Sequence, residues 1–197
     1  MNELDKLRKR LDEAITYGRF ELAKRLIHEG LKQARERELL GEAAYFKGQM
    51  EIIKGYYCEA IKHFDQAIRY NPNDGAAFND RALCMVELGI IDEAFYYFDK
   101  GIEVEPDYAT IYHNKGWLLN KTGRHSEAIE YFERALEIEP GRAVTYENLA
   151  NAWANLFNYR ESLAAYHKAI NLLSADCSDI KKQIIAEMKL LEAKIRV

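Results

Sequence analysis

Apolar residues recur along this chain at three- and four-residue intervals, in stretches of about 14 residues. That spacing gathers them on one stripe of a helix. Two such stretches, 109–122 and 125–138, flank Gly123. A glycine just past a helix takes the left-handed conformation that closes it, so Gly123 predicts a tight turn between two helices. The second helix of each such pair then meets a proline. IRYNPND (68–74), IEVEPDY (102–108) and IEIEPGR (136–142) each carry an apolar stripe into Pro72, Pro106 or Pro140, the chain's only prolines, spaced 34 residues apart. Proline lacks an N–H and clashes with the preceding turn, so each one ends a helix.

Frames of 34 residues from Gly41, Gly75, Ala109 and Ala143 align in columns. Small residues fill one column (Gly48, Ala82, Gly116, Ala150). Turn residues fill another (Gly55, Gly89, Gly123, Phe157). A third holds Ala60, Ala94, Ala128 and Ser162, a fourth Phe64, Phe98, Phe132 and Tyr166, and a fifth Ala67, Gly101, Ala135 and Ala169. Small residues let two helices approach, and the aromatic column fills the space between them. In the last frame Phe157 stands at the glycine position, and the adjacent Asn158 is expected to take the left-handed conformation instead.

This pattern resembles the tetratricopeptide repeat, a 34-residue helix–turn–helix with an aromatic near its start, a small residue four positions later, then Ala, Phe or Tyr, Ala and Pro. Regular units are read at 41–74, 75–108, 109–142 and 143–176. The starting aromatic is Phe78, Tyr112 and Tyr146, but Ala44 in the unit at 41, where Lys47 and Glu51 also depart from the pattern. Residues 4–40 read as a divergent N-terminal repeat, since GRFELAKRLIHEGL (18–31) aligns with GIIDEAFYYFDKGI (89–102). Its link to the next unit is longer and has no proline. Residues 177–197 read as a capping helix, with Ile180, Ile184, Met188, Leu191 and Ile195 on one face. The resemblance thus implies an all-α fold: one right-handed α-solenoid over 1–197, closed by its C-terminal helix.

Composition narrows the class. Lys+Arg is 28 against Asp+Glu 32, for a net charge of −4. Residues 1–40 are net +2, 41–140 net −8 and 141–197 net +2. An acidic centre argues against nucleic acid. No apolar run approaches the ~20 residues of a membrane span. Cys58, Cys84 and Cys177 are odd in number and far apart, which suits reduced thiols in the cytoplasm.

The family lines its concave groove with the first helix of each pair, and that groove holds a peptide or a partner helix. The resemblance therefore implies a non-catalytic protein-interaction scaffold. Its candidate ligand-binding residues are Tyr45, Gln49, Asn79, His113, Asn114, Trp117, Lys121, Glu147, Asn148, Asn151 and Asn155, with Phe46 also expected on that side. Asparagine pairs with a peptide backbone whatever its sequence, and Trp117 is a typical interface anchor. Structural readings stand beside these: Asn114 and Asn148 as inter-helix hydrogen-bonding residues, Trp117 tucked into a neighbouring unit. Lysine and arginine are missing from the places where some relatives grip a C-terminal carboxylate, here Tyr45, Gln49, Asp80, Thr110 and Asn114. Self-assembly into a homodimer, or regulation of an enzyme complex through the convex face, are the alternative readings. No cofactor, metal ligand set or nucleophile motif is present. Glu147 near His113 is the best acid–base pair the sequence offers.

Overall fold

Most of the helices end at a glycine turn or just before a proline. The computed structural model describes residues 3–175 and 177–195, and those residues form eleven helices and no strand. They are α1 (Glu3–Thr16), α2 (Phe20–Glu36), α3 (Leu40–Ile53), α4 (Tyr57–Tyr70), α5 (Gly75–Glu87), α6 (Ile91–Val104), α7 (Ala109–Lys121), α8 (His125–Ile138), α9 (Ala143–Asn155), α10 (Tyr159–Leu172) and α11 (Ser178–Ile195). Helices α4, α6 and α8 stop two residues before Pro72, Pro106 and Pro140. Packing divides the chain into two compact units, one running to Pro106 and one from Asp107 onward.

In the first unit, Leu4, Leu7, Leu11 and Ala14 of α1 are buried, as are Ala23, Leu26 and Ile27 of α2, against which α1 packs. Phe46, Phe64 and Phe98 are fully buried. The small and aromatic columns meet: a Cβ on Gly48 of α3 would come within 2.7 Å of the Phe64 ring of α4. Phe46, expected on the ligand side, instead packs its ring against Gly30 of α2. That contact joins the divergent first pair to the next one. In the second unit the same socket pairs Gly116 of α7 with Phe132 of α8. Ile184, Met188 and Leu191 of α11 are buried, whereas Ile195 on the same expected face is exposed.

The turns follow one scheme. Gly18, Gly55, Gly89 and Gly123 all have positive φ. The next residue's N–H donates back to a carbonyl five residues earlier, as Tyr56 does to Glu51 at 2.9 Å and Arg124 to Leu119 at 2.9 Å. The last pair corrects the expectation for Asn158. Phe157 itself takes the left-handed conformation (φ 62), while Asn158 has φ −83 and donates to the Trp153 carbonyl at 3.0 Å. The hydrogen-bond scheme fixes which position must turn, so the residue there takes the strain. Glu38 (φ 57) does the same in the proline-free link between α2 and α3.

Two substitutions toward the repeat's own columns should therefore stabilise the second unit. The Phe157 side chain is 77% exposed, so Phe157→Gly removes left-handed strain and little burial. A gain of about 1 kcal/mol is expected, read as a higher urea midpoint. Ser162 occupies the alanine column of α10, fully buried, and its hydroxyl has no hydrogen-bond partner among the described residues. Ser162→Ala should also gain about 1 kcal/mol in the same assay, because an unsatisfied buried hydroxyl is lost.

Candidate functional site

The first helices of successive pairs present their polar residues to one another, and in the first unit they do so around a single cation. Arg8 of α1 donates through both terminal nitrogens to Asp74 at 2.9 Å each, and through Nε to Glu42 of α3 at 3.0 Å. Its guanidinium lies 3.6 Å above the Tyr45 ring centroid. Asp74 also caps α5 by accepting from the Ala77 N–H at 3.0 Å. Glu105 accepts from the Gly75 N–H at 3.0 Å, so two carboxylates meet the positive end of that helix. Burial raises the Glu42 and Glu105 carboxyls above the ordinary range, against the pull of Arg8 on Glu42 and of the Gly75 N–H on Glu105.

Below this clamp lies a polar layer between α3 and α5. Gln49 donates from Nε2 to the Tyr45 hydroxyl at 3.0 Å and to the Asp80 carboxyl. Asn79 donates to the other Asp80 oxygen at 2.9 Å. Tyr45, Gln49, Asn79 and Asp80 are all buried. Three of the expected ligand-binding residues, Tyr45, Gln49 and Asn79, therefore join neighbouring repeats rather than line an open surface. Burial of polar groups demands partners, and these side chains supply them to one another.

In the second unit, His113 of α7 is buried against Phe132, with ring centroids 5.8 Å apart, and its Nδ1 lies 2.9 Å from the Thr145 hydroxyl of α9. The expected pairing with Glu147 is thus corrected: His113 serves the α7–α9 contact. Alongside it, Arg142 donates to the Thr110 hydroxyl at 3.0 Å. Burial first, and the Arg142 charge second, hold the His113 imidazole down at about 3. A histidine near 6.5 in the unfolded chain must then take up a proton on unfolding at mildly acid pH. Its contribution to stability is complete above pH 6.5 and is lost as pH falls below it, at about 1.4 kcal/mol per pH unit. His113→Gln should flatten the stability profile of the wild type between pH 6.5 and 4.5, measured by urea unfolding.

The remaining candidates lie on α7 and α9. Asn114, Trp117, Glu147, Asn148 and Asn151 are half-buried, and Lys121 and Asn155 are exposed. The Lys121 ammonium lies 4.9 Å from the Trp117 ring centroid, stacked on its face. Asn151 accepts from the Tyr166 hydroxyl of α10, and burial pushes that phenol up to about 12. Asn155 donates to Asn120 at 3.2 Å, and Asn120 lies 2.6 Å from His125 Nδ1. Asn151 and Asn155 thus already hold helices together. Burial raises the Glu147 carboxyl.

Sequence reasoning missed Arg8, Asp74 and Lys115. Arg8 sits among alternating charges at the N-terminus and carries no local signal of its role. Lys115 is a buried ammonium on α7 that donates to the Tyr131 hydroxyl of α8 at 2.7 Å. Among the described residues no three His, Cys, Asp or Glu side chains gather to hold a metal, the three cysteines are free thiols, and no helix is long and apolar enough to cross a membrane.

Family models described as Tetratricopeptide repeat match residues 54–103, 109–142 and 142–173. Among curated proteins, the Hsp70-Hsp90 organizing protein 3 of Arabidopsis thaliana is 42% identical over 45 residues, and the Hsp70-Hsp90 organizing protein of Triticum aestivum 44% over 43. Those stretches are 23% and 22% of this chain, but only 8% and 7% of those proteins. Among solved structures, TTC0263, a thermophilic TPR protein of Thermus thermophilus, is similar with a TM-score of 0.74 at 18% identity, over 93% of this chain and 97% of that one. MamA is similar with a TM-score of 0.61 at 20% identity, over 87% and 95%. YrrB, described as a TPR protein with an unusual peptide-binding site, gives 0.56 at 23% identity over 82% of each chain. At such identities these structures establish the fold: an α-solenoid of helical repeats.

Proposed function

This chain belongs to the tetratricopeptide-repeat family, and on that premise we propose that it is a non-catalytic, cytoplasmic interaction scaffold that holds a peptide or partner helix against the α7–α9 face. One observation carries the reading. Of the residues the repeat pattern points to for ligand contact, those on α3 and α5 are buried among their own neighbours. Those left open to solvent, wholly or in part, lie on α7 and α9. Trp117 with Lys121 supplies an amphipathic anchor there, and Asn114 and Asn148 supply amides for a peptide backbone. YrrB, a structural relative, is described as having a peptide-binding site, which is in keeping with this use of the fold.

The test is a paired pull-down from native lysate, read by mass spectrometry. The wild type is compared with a variant carrying Asn114→Ala, Trp117→Ala and Asn148→Ala whose helicity is first confirmed by circular dichroism. A protein retained by the first and lost by the second supports the α7–α9 face. Equal recovery by both overturns it.

Self-assembly is the second reading, favoured by Phe157 on the α9–α10 turn and by Ile185 and Leu190 on α11, all exposed. Light scattering decides this one: a homodimer doubles the 22.9 kDa mass of the chain.

A further inference from the structure

The fifth residue of each 34-residue frame is Tyr45, Asn79, His113 or Glu147. In the first three frames that side chain is buried and bonded within the protein. Tyr45 accepts from Gln49, Asn79 donates to Asp80, and His113 meets Thr145 of α9. The fourth frame departs from this. Helix α9 belongs to the last repeat, and the helix that follows the pair, α11, packs on α10. The Glu147 carboxylate is half-buried, and among the described residues it forms no ion pair and accepts no hydrogen bond. The Tyr166 hydroxyl is near enough for the Glu147 charge to oppose its ionisation, yet it donates to Asn151. The cations of these helices are engaged elsewhere: Arg142 with Thr110 and Glu139, Lys121 on the Trp117 ring and Lys168 over Tyr146. A partly desolvated carboxylate without a counter-charge is unfavourable, and an arriving cation with its own donors offsets that.

On the reading that α7 and α9 hold a peptide, we propose that Glu147 reads the charge of that ligand by pairing with one of its lysine or arginine side chains. Asn148 is the adjacent residue, so an amide for the peptide backbone stands beside a carboxylate for its side chain. Asn151 lies one turn further along the same side of α9 as Glu147. A ligand with aspartate or glutamate at that place meets a like charge and is rejected.

The probe is a library of short random peptides displayed on phage and selected against the full chain. The informative peptides are those whose binding is lost with Asn114→Ala, Trp117→Ala and Asn148→Ala together. Lysine or arginine is expected at one aligned position among them. No such enrichment overturns this inference and leaves the α7–α9 face standing as the site. Selected peptides that all bind the triple variant as well as the wild type, or a selection that yields none, overturn both. One selected peptide is then made N-acetylated, with its basic residue or with glutamine in its place. Fluorescence anisotropy compares the two on the wild type and on Glu147→Gln, after circular dichroism confirms the variant's helices. Either change alone should weaken binding about tenfold, and the two together no more than one. Effects that multiply mean that the two groups do not meet, and they overturn the proposal. If the variant fails to fold, the wild type still tests the idea: a glutamine peptide bound as tightly as the basic one overturns it.

Discussion

Gly30→Ala should destabilise the first unit by about 2–3 kcal/mol, although alanine is the better helix former. A helix interior gains roughly 1 kcal/mol when glycine becomes alanine. Here a Cβ would sit within 3.0 Å of three ring atoms of Phe46, which is fully buried and has nowhere to move. Overpacking of this kind costs typically ~1–3 kcal/mol and occasionally more, so the clash outweighs the propensity. Urea unfolding measures the loss. The companion experiment is Phe46→Leu in the same background. If the clash is the cause, the double variant recovers part of the loss and the two changes are strongly non-additive. Additive effects would mean that the α2–α3 contact does not depend on this socket.

Arg8→Ala should cost about 3–5 kcal/mol at neutral pH, the largest effect expected of any charged residue here. Removing one partner of a buried ion pair leaves the others uncompensated. The Arg8 side chain is only 15% exposed, and Asp74 only 4%. The loss should shrink as the solution is acidified. Without the guanidinium, the Glu42 carboxyl, already raised by burial, loses the charge that holds it down and rises further. The variant then regains stability relative to the wild type as pH falls toward 4 and Glu42 binds a proton. A loss independent of pH between 7 and 4 would show that Arg8 contributes through its contact with Tyr45 and not through its charge.

These two sites differ in how far they could be read from the chain. The socket at Gly48 and Phe64 follows from column spacing, and so do the bounds of α7 and α8 and the helix breaks before the prolines. They depend on residues a few positions apart and on a period that repeats. The polar clamp depends on contacts 34 and 66 residues apart. Nothing in the local pattern of Arg8, Glu42 and Asp74 separates a clamp from a solvated surface. The same limit explains Tyr45, Gln49, Asn79 and His113. The period puts all four on the first helices of their pairs, where the structure has them. Whether a polar side chain at such a position meets a ligand or the next repeat depends on its neighbours' chemistry, not on periodicity. Phe157 escapes the pattern for another reason: the backbone scheme of the turn outranks the preference of the residue.

The helix contacts have a consequence for how the chain is made. The main packing partner of each helix is the one before or after it in sequence. Few contacts must wait for distant chain, so a nascent polypeptide leaving the ribosome can build its core pair by pair. The Arg8 clamp is an exception. It needs the start of α5, 66 residues downstream, before Asp74 is in place. During synthesis α1 and α2 must hold their hairpin on their own apolar packing and the Glu3–Arg37 ion pair, and the clamp comes later, as a seal on what is already folded.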